Sequence, residues 1–385
     1  MPKPRILILI DYYIPGYKSG GPVRTIANVV EHLGEEFDFH IVTRDHDATE
    51  TQPYPDIESN IWNQRGYSQV FYASSISFGL IRQVIQDVSP DTVYLNSFFS
   101  PFAIRYLIMR RLGLVPHVPV ILAPRGEFSP GALRLKRLKK RTYMCLASLV
   151  GLYRDLIWQA SSEQEKHEIQ AGWSKDIAIH VAPNMPPRVL DDADHRTRDK
   201  TPGSAHFVFL SRISPKKNIT MALRLLGQLE GEISFSIVGP VRDEKYWRQC
   251  REVISTLPRN VKVEYLGAVP HHQVQEVLGG CHFFLLPTMG ENFGHAILEA
   301  MLAGCPVLIS DQTPWHGLTN RGVGWDLPLE SENDWLRALQ SCVNMDYAEF
   351  NTMSSNARAF ASHWIANSDL RKANIELFRL ASHKE

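Results

Sequence analysis

No apolar run in this chain approaches the roughly 20 residues that a membrane-spanning helix needs. The first such run, Ile6 to Ile10, is also too short for a secretory leader and ends in Asp11. Charge of neither sign dominates: 41 basic residues balance 41 acidic ones, so nucleic-acid binding by bulk electrostatics is not expected. Cysteine is scarce and odd in number. Cys145, Cys250, Cys281, Cys305 and Cys342 are scattered without metal-ligand spacing, so reduced thiols in a cytosolic protein are expected. A GxGxxG fingerprint is missing after the first strand, which disfavours a nicotinamide dehydrogenase. What remains is the composition of a globular protein, 44 % hydrophobic and 21 % charged. Its 385 residues exceed what one core usually supports, so two domains are expected.

Arg5 to Asp11 reads as a central strand buried on both faces. A loop containing Gly16, Gly20 and Gly21 follows, and then Ile26, Val29, Val30 and Leu33 fall at helical spacing. The Gly20-Gly21 pair lets backbone amides approach a phosphate, or simply makes a tight turn. Strands near 37–42, 70–72, 92–95 and 118–123 alternate with helices near 78–88 and 101–112, the pattern of a parallel sheet with helices on both faces. Ligands of such sheets sit at the carboxyl ends of the strands, which directs attention to Asn96–Ser100, Arg125 and Glu127. Arg125 and Glu127 read either as ligand-facing groups or as a structural ion pair.

Six of the eight residues from Arg134 to Arg141 are basic, and no acid appears between Glu127 and Asp155. This run is a solvated helix face or a docking site for an anionic membrane surface. Ser162 with Glu165 has the spacing of a capping box. Residues 187–204 lack apolar periodicity and read as a linker, placing one Rossmann-like domain at 1–186 and a second at 205–365. A last helix within 366–385 is expected to complete the first domain. Asp45 with Asp47, and Asp192 with Asp194, spell a DxD pattern, but neither follows a buried strand; no metal site is assigned.

The second half repeats the strand–loop–helix rhythm. Arg212 and Lys217 lie between a buried strand and a helix near Asn218, a placement that suits a diphosphate. Strands at 233–238 and 261–266 end in Gly239 and Gly267, and the main chain there and at Val269 is expected to contact a nucleotide base. Cys281 to Pro287 is a buried strand leading into GENFGHAILEAMLAG. A helix is expected from near Asn292, with Glu299 two turns in and about 12 Å from Glu291. Between the two carboxylates lie the open amides of a helix N-terminus, and Gly294 permits close approach. A nucleotide-sugar, with hydroxyls at both ends and phosphates between, matches this layout. The alternative makes Glu291 a loop carboxylate and Glu299 a solvated helix residue.

Taken together, these features resemble the family 4 retaining glycosyltransferases of the GT-B fold. The matching residues are Gly20-Gly21, Ser211-Arg212 with Lys217, Pro287, Glu291-Asn-Phe-Gly294, and Glu299, which completes an E-x7-E signature. They occur in the family's order across nearly the whole chain. DYYIPGYKSGGP, NSFFS, APRGEFSP and RGVGWDLP are similar to bacterial polysaccharide-assembly members. The resemblance implies an α/β fold of two Rossmann-like domains facing each other across a cleft. It implies a metal-independent hexosyltransferase without a cofactor, using a nucleoside-diphosphate sugar and a glycan or lipid-linked acceptor. In it Arg212 and Lys217 would neutralise the leaving diphosphate. Glu291 and the backbone of Asn292, Phe293 and Gly294 would orient the sugar, Glu299 would hold the ribose, and Gly20 and Gly21 would close over the phosphates. Arg125-Gly126 stands where many members have histidine before glycine, so Arg125 would bind acceptor or phosphate rather than take a proton. A location in the cytoplasm, or peripherally on the inner face of the membrane, follows. A sugar-nucleotide epimerase and a non-catalytic subunit of a polysaccharide-assembly complex are the competing readings.

Overall fold

The computed structural model describes residues 2–134, 136–187 and 198–382, with Ser368 described through its backbone. The chain divides into two units, Met1–Val189 with Ser368–Glu385, and Leu190–Asn367. Asp192, Asp194 and most of the expected linker lie outside the described residues, as does Leu135.

The first unit is built on an eight-stranded sheet. Its opening elements are β1 (Arg5–Leu9), α1 (Gly21–Leu33), β2 (Asp38–Arg44), β3 (Trp62–Arg65) and β4 (Ser68–Ala73). Next come α2 (Phe78–Val88), β5 (Thr92–Asn96), α3 (Pro101–Arg111) and β6 (Val120–Ala123). After α4 (Pro130–Arg134) and α5 (Arg137–Leu149) follow β7 (Ile157–Ala160), α6 (Glu163–Gly172) and β8 (Ile179–Val181). Strand order is β3-β4-β2-β1-β5-β6-β7-β8. β1 lies between β2 and β5 with Leu9 opposite both Val42 and Leu95, which is why it carries only apolar side chains after Arg5. Pairing is parallel except for β3, which turns back through Gly66 to run antiparallel to β4. Its residues, Trp-Asn-Gln-Arg, show no strand signal; the pairing comes from the turn.

The second unit has a six-stranded, wholly parallel sheet in the order β11-β10-β9-β12-β13-β14. It opens with β9 (Ser204–Leu210), a 3-10 turn (Pro215–Lys217), α7 (Ile219–Leu226), β10 (Glu232–Val238) and α8 (Glu244–Ser255). Then come β11 (Val261–Gly267), α9 (His271–Gly279), β12 (Phe283–Leu286) and α10 (His295–Leu302). β13 (Val307–Ser310), β14 (Gly324–Leu327), α11 (Glu332–Asn344) and α12 (Tyr347–Ile365) complete it. Phe207, Phe283, Leu285, Ile297, Met301 and Trp335 are fully buried in its core. The final helix, α13 (Ser368–Ser382), returns to the first unit, where the Phe378 ring packs 5.3 Å from those of Phe37 and Tyr94. These two α/β units on parallel sheets match the fold expected from the sequence.

Candidate functional site

In the second sheet the strand order reverses beside β9, whose neighbours are β10 and β12, and ligands of open α/β sheets bind at the carboxyl ends of such strands. The loops leaving β9, β10, β12 and β13 are tied together there by hydrogen bonds. Lys216 O, in the 3-10 turn, accepts from Met289 N (2.8 Å) and Thr288 Oγ1 (3.2 Å). Glu291 N donates to Gln312 O (2.9 Å) and Ser310 Oγ to Thr288 O (2.5 Å). These bonds hold the segment after β12 against the turn after β9, bringing the buried Lys217 Nζ onto Glu291 Oε1. Residues 74 apart in sequence thereby form one ion pair.

The charges around this pair are unequal. Burial pushes the Glu291 carboxyl up, but Lys217, Lys216 and Arg212 together hold it below the ordinary carboxylate range. The Lys217 ammonium is lowered by burial against the pull of Glu291. Arg212 is lowered by burial and then by a second guanidinium, Arg242. Three cations thus act on Glu291, and Arg242 acts on one of them, Arg212.

Arg242 and Lys216 are absent from the sequence-based site. The signal for Arg242 is its place three residues after Gly239, at the end of a buried strand. Gly239, at φ 137°, donates its N–H to Gly267 O (2.7 Å), so these two strand-end glycines lie side by side. Val269 follows on the same loop and packs against the core.

The segment after β12 departs from expectation in one respect. The helix does not begin near Asn292. Gly294 sits at φ 81°, in the left-handed region, so helical geometry starts only at His295. Glu299 is therefore one turn into α10 rather than two, and it is buried, 9 % exposed, not solvated. Its carboxylate lies 3.7 Å from His271 Nδ1 at the start of α9, a neighbour that sequence separation conceals. Asn292 and Phe293 belong to the loop. The Phe293 ring is buried against Trp315 and Trp364, and its carbonyl accepts from Trp315 Nε1 (2.6 Å). The first amide to bond back is that of Ile297, to Gly294 O (2.9 Å), so the N-terminal turn of α10 opens between Glu291 and Glu299. Glu291, Arg212 and Lys217 form one cluster; Gly239 and Val269 lie on neighbouring strand-end loops, and Glu299 on the helix beyond Gly294.

Gly20, Gly21 and Arg125 lie in the first unit. Gly20, at φ 77°, precedes α1, and Gly21 is that helix's first residue. Asp47 Oδ2 holds the preceding loop by accepting from Tyr17 N (2.8 Å) and Lys18 N (3.0 Å), a main-chain role for one member of the Asp45/Asp47 pattern. Arg125, at φ 57°, donates to Asn96 Oδ1 (2.9 and 3.0 Å), Asn184 Oδ1 (3.0 Å) and the Tyr94 hydroxyl. It does not pair with Glu127. That carboxylate instead accepts from Ser97 Oγ (2.7 Å), Phe98 N (2.6 Å) and Phe99 N (3.3 Å). Nor is the capping box at Ser162 complete. Ser162 Oγ accepts from Glu165 N (3.1 Å), but the Glu165 carboxylate turns to Ser161 N (2.7 Å) and Gly126 N (2.6 Å), fixing the turn that carries Arg125.

Burial pushes the Glu127 carboxyl up to about 7. The folded chain then retains a proton that the unfolded chain has lost, so stability should fall as pH rises from about 4.5 to 7. Glu127→Gln keeps an oxygen acceptor for the amides and cannot titrate. Between pH 4.5 and 7.5 the wild-type chain should lose roughly 1–3 kcal/mol more than the variant in urea unfolding. Parallel pH profiles would exclude Glu127 as the titrating group.

On α5 the basic run has an apolar companion. Leu138 and Leu149 are 83 % and 82 % exposed, and Leu146 and Val150 are exposed beside them. Among the described residues no helix is long and apolar enough to cross a membrane.

Known proteins resemble the chain at both levels. Residues 191–359 match the family model described as glycosyl transferases group 1. An uncharacterized 41.2 kDa protein in the cps region of Klebsiella pneumoniae is 22 % identical over 372 residues, 94 % of this chain and 97 % of that protein. The O-antigen chain mannosyltransferase RfbU of Salmonella typhimurium is 21 % identical over 170 residues, 42 % of this chain and 47 % of its own. Among solved structures, Anabaena Alr3699/HepE in complex with UDP and glucose aligns with a TM-score of 0.68 at 18 % identity, covering 98 % of this chain and 99 % of that one. The chain therefore has the fold of the GT-B glycosyltransferases, and its residues 191–359 are similar to the glycosyl transferases group 1 model.

Proposed function

We propose that this protein is a retaining, metal-independent hexosyltransferase of the family 4 type, acting in bacterial surface polysaccharide synthesis. Its donor is a nucleoside-diphosphate sugar and its acceptor a glycan or a lipid-linked sugar. The observation that carries this reading is the Glu291–Lys217 pair flanked by Arg212 at the carboxyl edge of the second sheet. The cps-region and O-antigen relatives support the pathway, and the UDP- and glucose-bound neighbour supports the donor class.

Glu291 and the amides of Asn292, Phe293 and Gly294 orient the sugar, while Glu299 takes the ribose diol. Main-chain groups at Gly239 and Val269 meet the base. Arg212 and Lys217 hold the diphosphate; Gly20 and Gly21 serve the phosphates, and Arg125 the acceptor or a phosphate. In the transfer step the bond from the anomeric carbon to the phosphate oxygen breaks, and its electron pair stays on that oxygen. The acceptor hydroxyl attacks from the same face and gives its proton to the departing phosphate. Cations held in place stabilise the charge that builds there, the role a divalent metal would otherwise fill.

A panel of UDP-, GDP- and ADP-sugars tests this reading. One donor should raise the unfolding temperature, and its nucleotide should be released only with acceptor present, equally well in EDTA. Release of an epimer from donor alone would identify an epimerase instead. No shift with any donor would reject both.

Docking on an anionic membrane surface through Arg134–Arg141 belongs to the same proposal. It is supported by Leu138, exposed between Arg137 and Lys139, and by Leu146 and Leu149, exposed further along α5. Changing Lys136, Arg137 and Lys139 to Gln should lower binding to phosphatidylglycerol vesicles about a hundredfold at low salt, since each basic residue near such a surface contributes about 1 kcal/mol. Unchanged partitioning would reject it.

A further inference from the structure

We infer that Arg242 is a further donor-site residue, a third cation on the diphosphate beside Arg212 and Lys217; this rests on the donor reading above. The backbone places it there. Ile213 N donates to Pro240 O (2.9 Å), Arg242 N donates to Ile213 O (3.0 Å), and Ile213 bridges to Val241. These bonds zip the loop after β10 onto the loop after β9, so residue 242 is held against residues 212–214. Close approach at Gly239, whose added Cβ would run into Ser211, keeps the two loops in register.

The nearest carboxylate in sequence does not serve Arg242. Asp243 caps α8, its Oδ1 accepting from Tyr246 N (2.9 Å). Glu291 is already engaged by Lys217. Arg212 and Arg242, carried on loops joined by those main-chain bonds, repel each other, and a fold keeps such an arrangement when a bound anion offsets it. Three cations already act on Glu291 and Arg242 adds a fourth charge beside Arg212, an excess suited to a diphosphate, whose charge rises as the sugar leaves. Guanidinium adds planar, two-pronged hydrogen bonding to phosphate oxygens that ammonium lacks.

The test compares Arg242→Gln, Arg242→Lys and Arg212→Gln in the full chain, measuring affinity for UDP against UMP, GDP against GMP and ADP against AMP, with kcat and KM for the donor found. Arg242→Gln should cut the diphosphate-over-monophosphate preference about tenfold and flatten its salt dependence. Arg242→Lys should recover part of both. If Arg212→Gln lowers the preference and Arg242→Gln leaves it within twofold, the inference falls while the donor reading stands. If diphosphate and monophosphate weaken equally in Arg242→Gln, the residue shapes the loop only, and the inference likewise falls. If none of the three nucleotide series binds, the donor reading itself is wrong. Should Arg242→Gln fail to fold, Arg242→Lys decides: a preference equal to wild type, with the salt dependence unchanged, overturns the inference.

Discussion

Glu291→Ala is expected to lower turnover by about 10²–10³-fold, the range seen when one preorganised polar contact to a transition state is removed. A second effect comes with it. Lys217 is buried, 7 % exposed, and the deletion strands its ammonium, at a cost of about 3–5 kcal/mol in unfolding free energy. The two effects separate in the double variant Glu291→Gln/Lys217→Met, which removes both charges while keeping volume. It should recover much of the stability and none of the activity. A Glu291→Ala protein turning over within threefold of wild type would remove the residue from the reaction, and the proposed chemistry with it. If stability is untouched, the ion pair does not form in solution.

Gly239→Ala should be the most damaging single methyl addition near the site. Its φ of 137° is closed to residues bearing a Cβ. The new carbon would lie 2.7 Å from the Ser211 carbonyl carbon and closer still to its oxygen. Both atoms are main chain, so the clash can be relieved only by parting the loops after β9 and β10. The expected cost is about 3 kcal/mol or more, from strain added to the lost ladder bonds. Gly267→Ala is the control. It too has positive φ, 73°, but its added Cβ meets nothing within 4 Å, so the cost should stay near the 1–2 kcal/mol of a left-handed residue. Urea unfolding of both variants checks the difference. Equal destabilisation would mean that backbone strain alone, not the meeting of two loops, makes Gly239 necessary. Diphosphate binding should weaken in Gly239→Ala beyond its loss of stability, because Arg212 and Arg242 ride on those loops.

Several features were legible because they are local. The apolar run at β1, the 3.6-residue spacing in α1 and the strand–loop–helix alternation report on their own neighbourhoods, and they sufficed for the fold class. β3 was not legible, since its polar residues pair through a turn rather than by preference. The start of α10 was misplaced by three residues. Helical spacing in Ala296, Ile297 and Ala300 says that a helix exists, whereas its first turn is decided by the backbone angle at Gly294. The neighbours of Glu299 and Glu127 were equally hidden: His271 and Ser97 reach them across 28 and 30 residues.

By itself the sequence determined which segments are buried, which strand ends carry charge and glycine, and that two acidic residues bracket one helix start. Only the tertiary structure decided which charges meet. Lys217 reaches Glu291, Arg242 joins Arg212 while Asp243 turns away, and Arg125 binds Asn96 and Asn184 instead of Glu127. The reason is physical. Burial and periodicity are properties of consecutive residues, while electrostatic energy depends on distances that exist only after the strands have been ordered into a sheet.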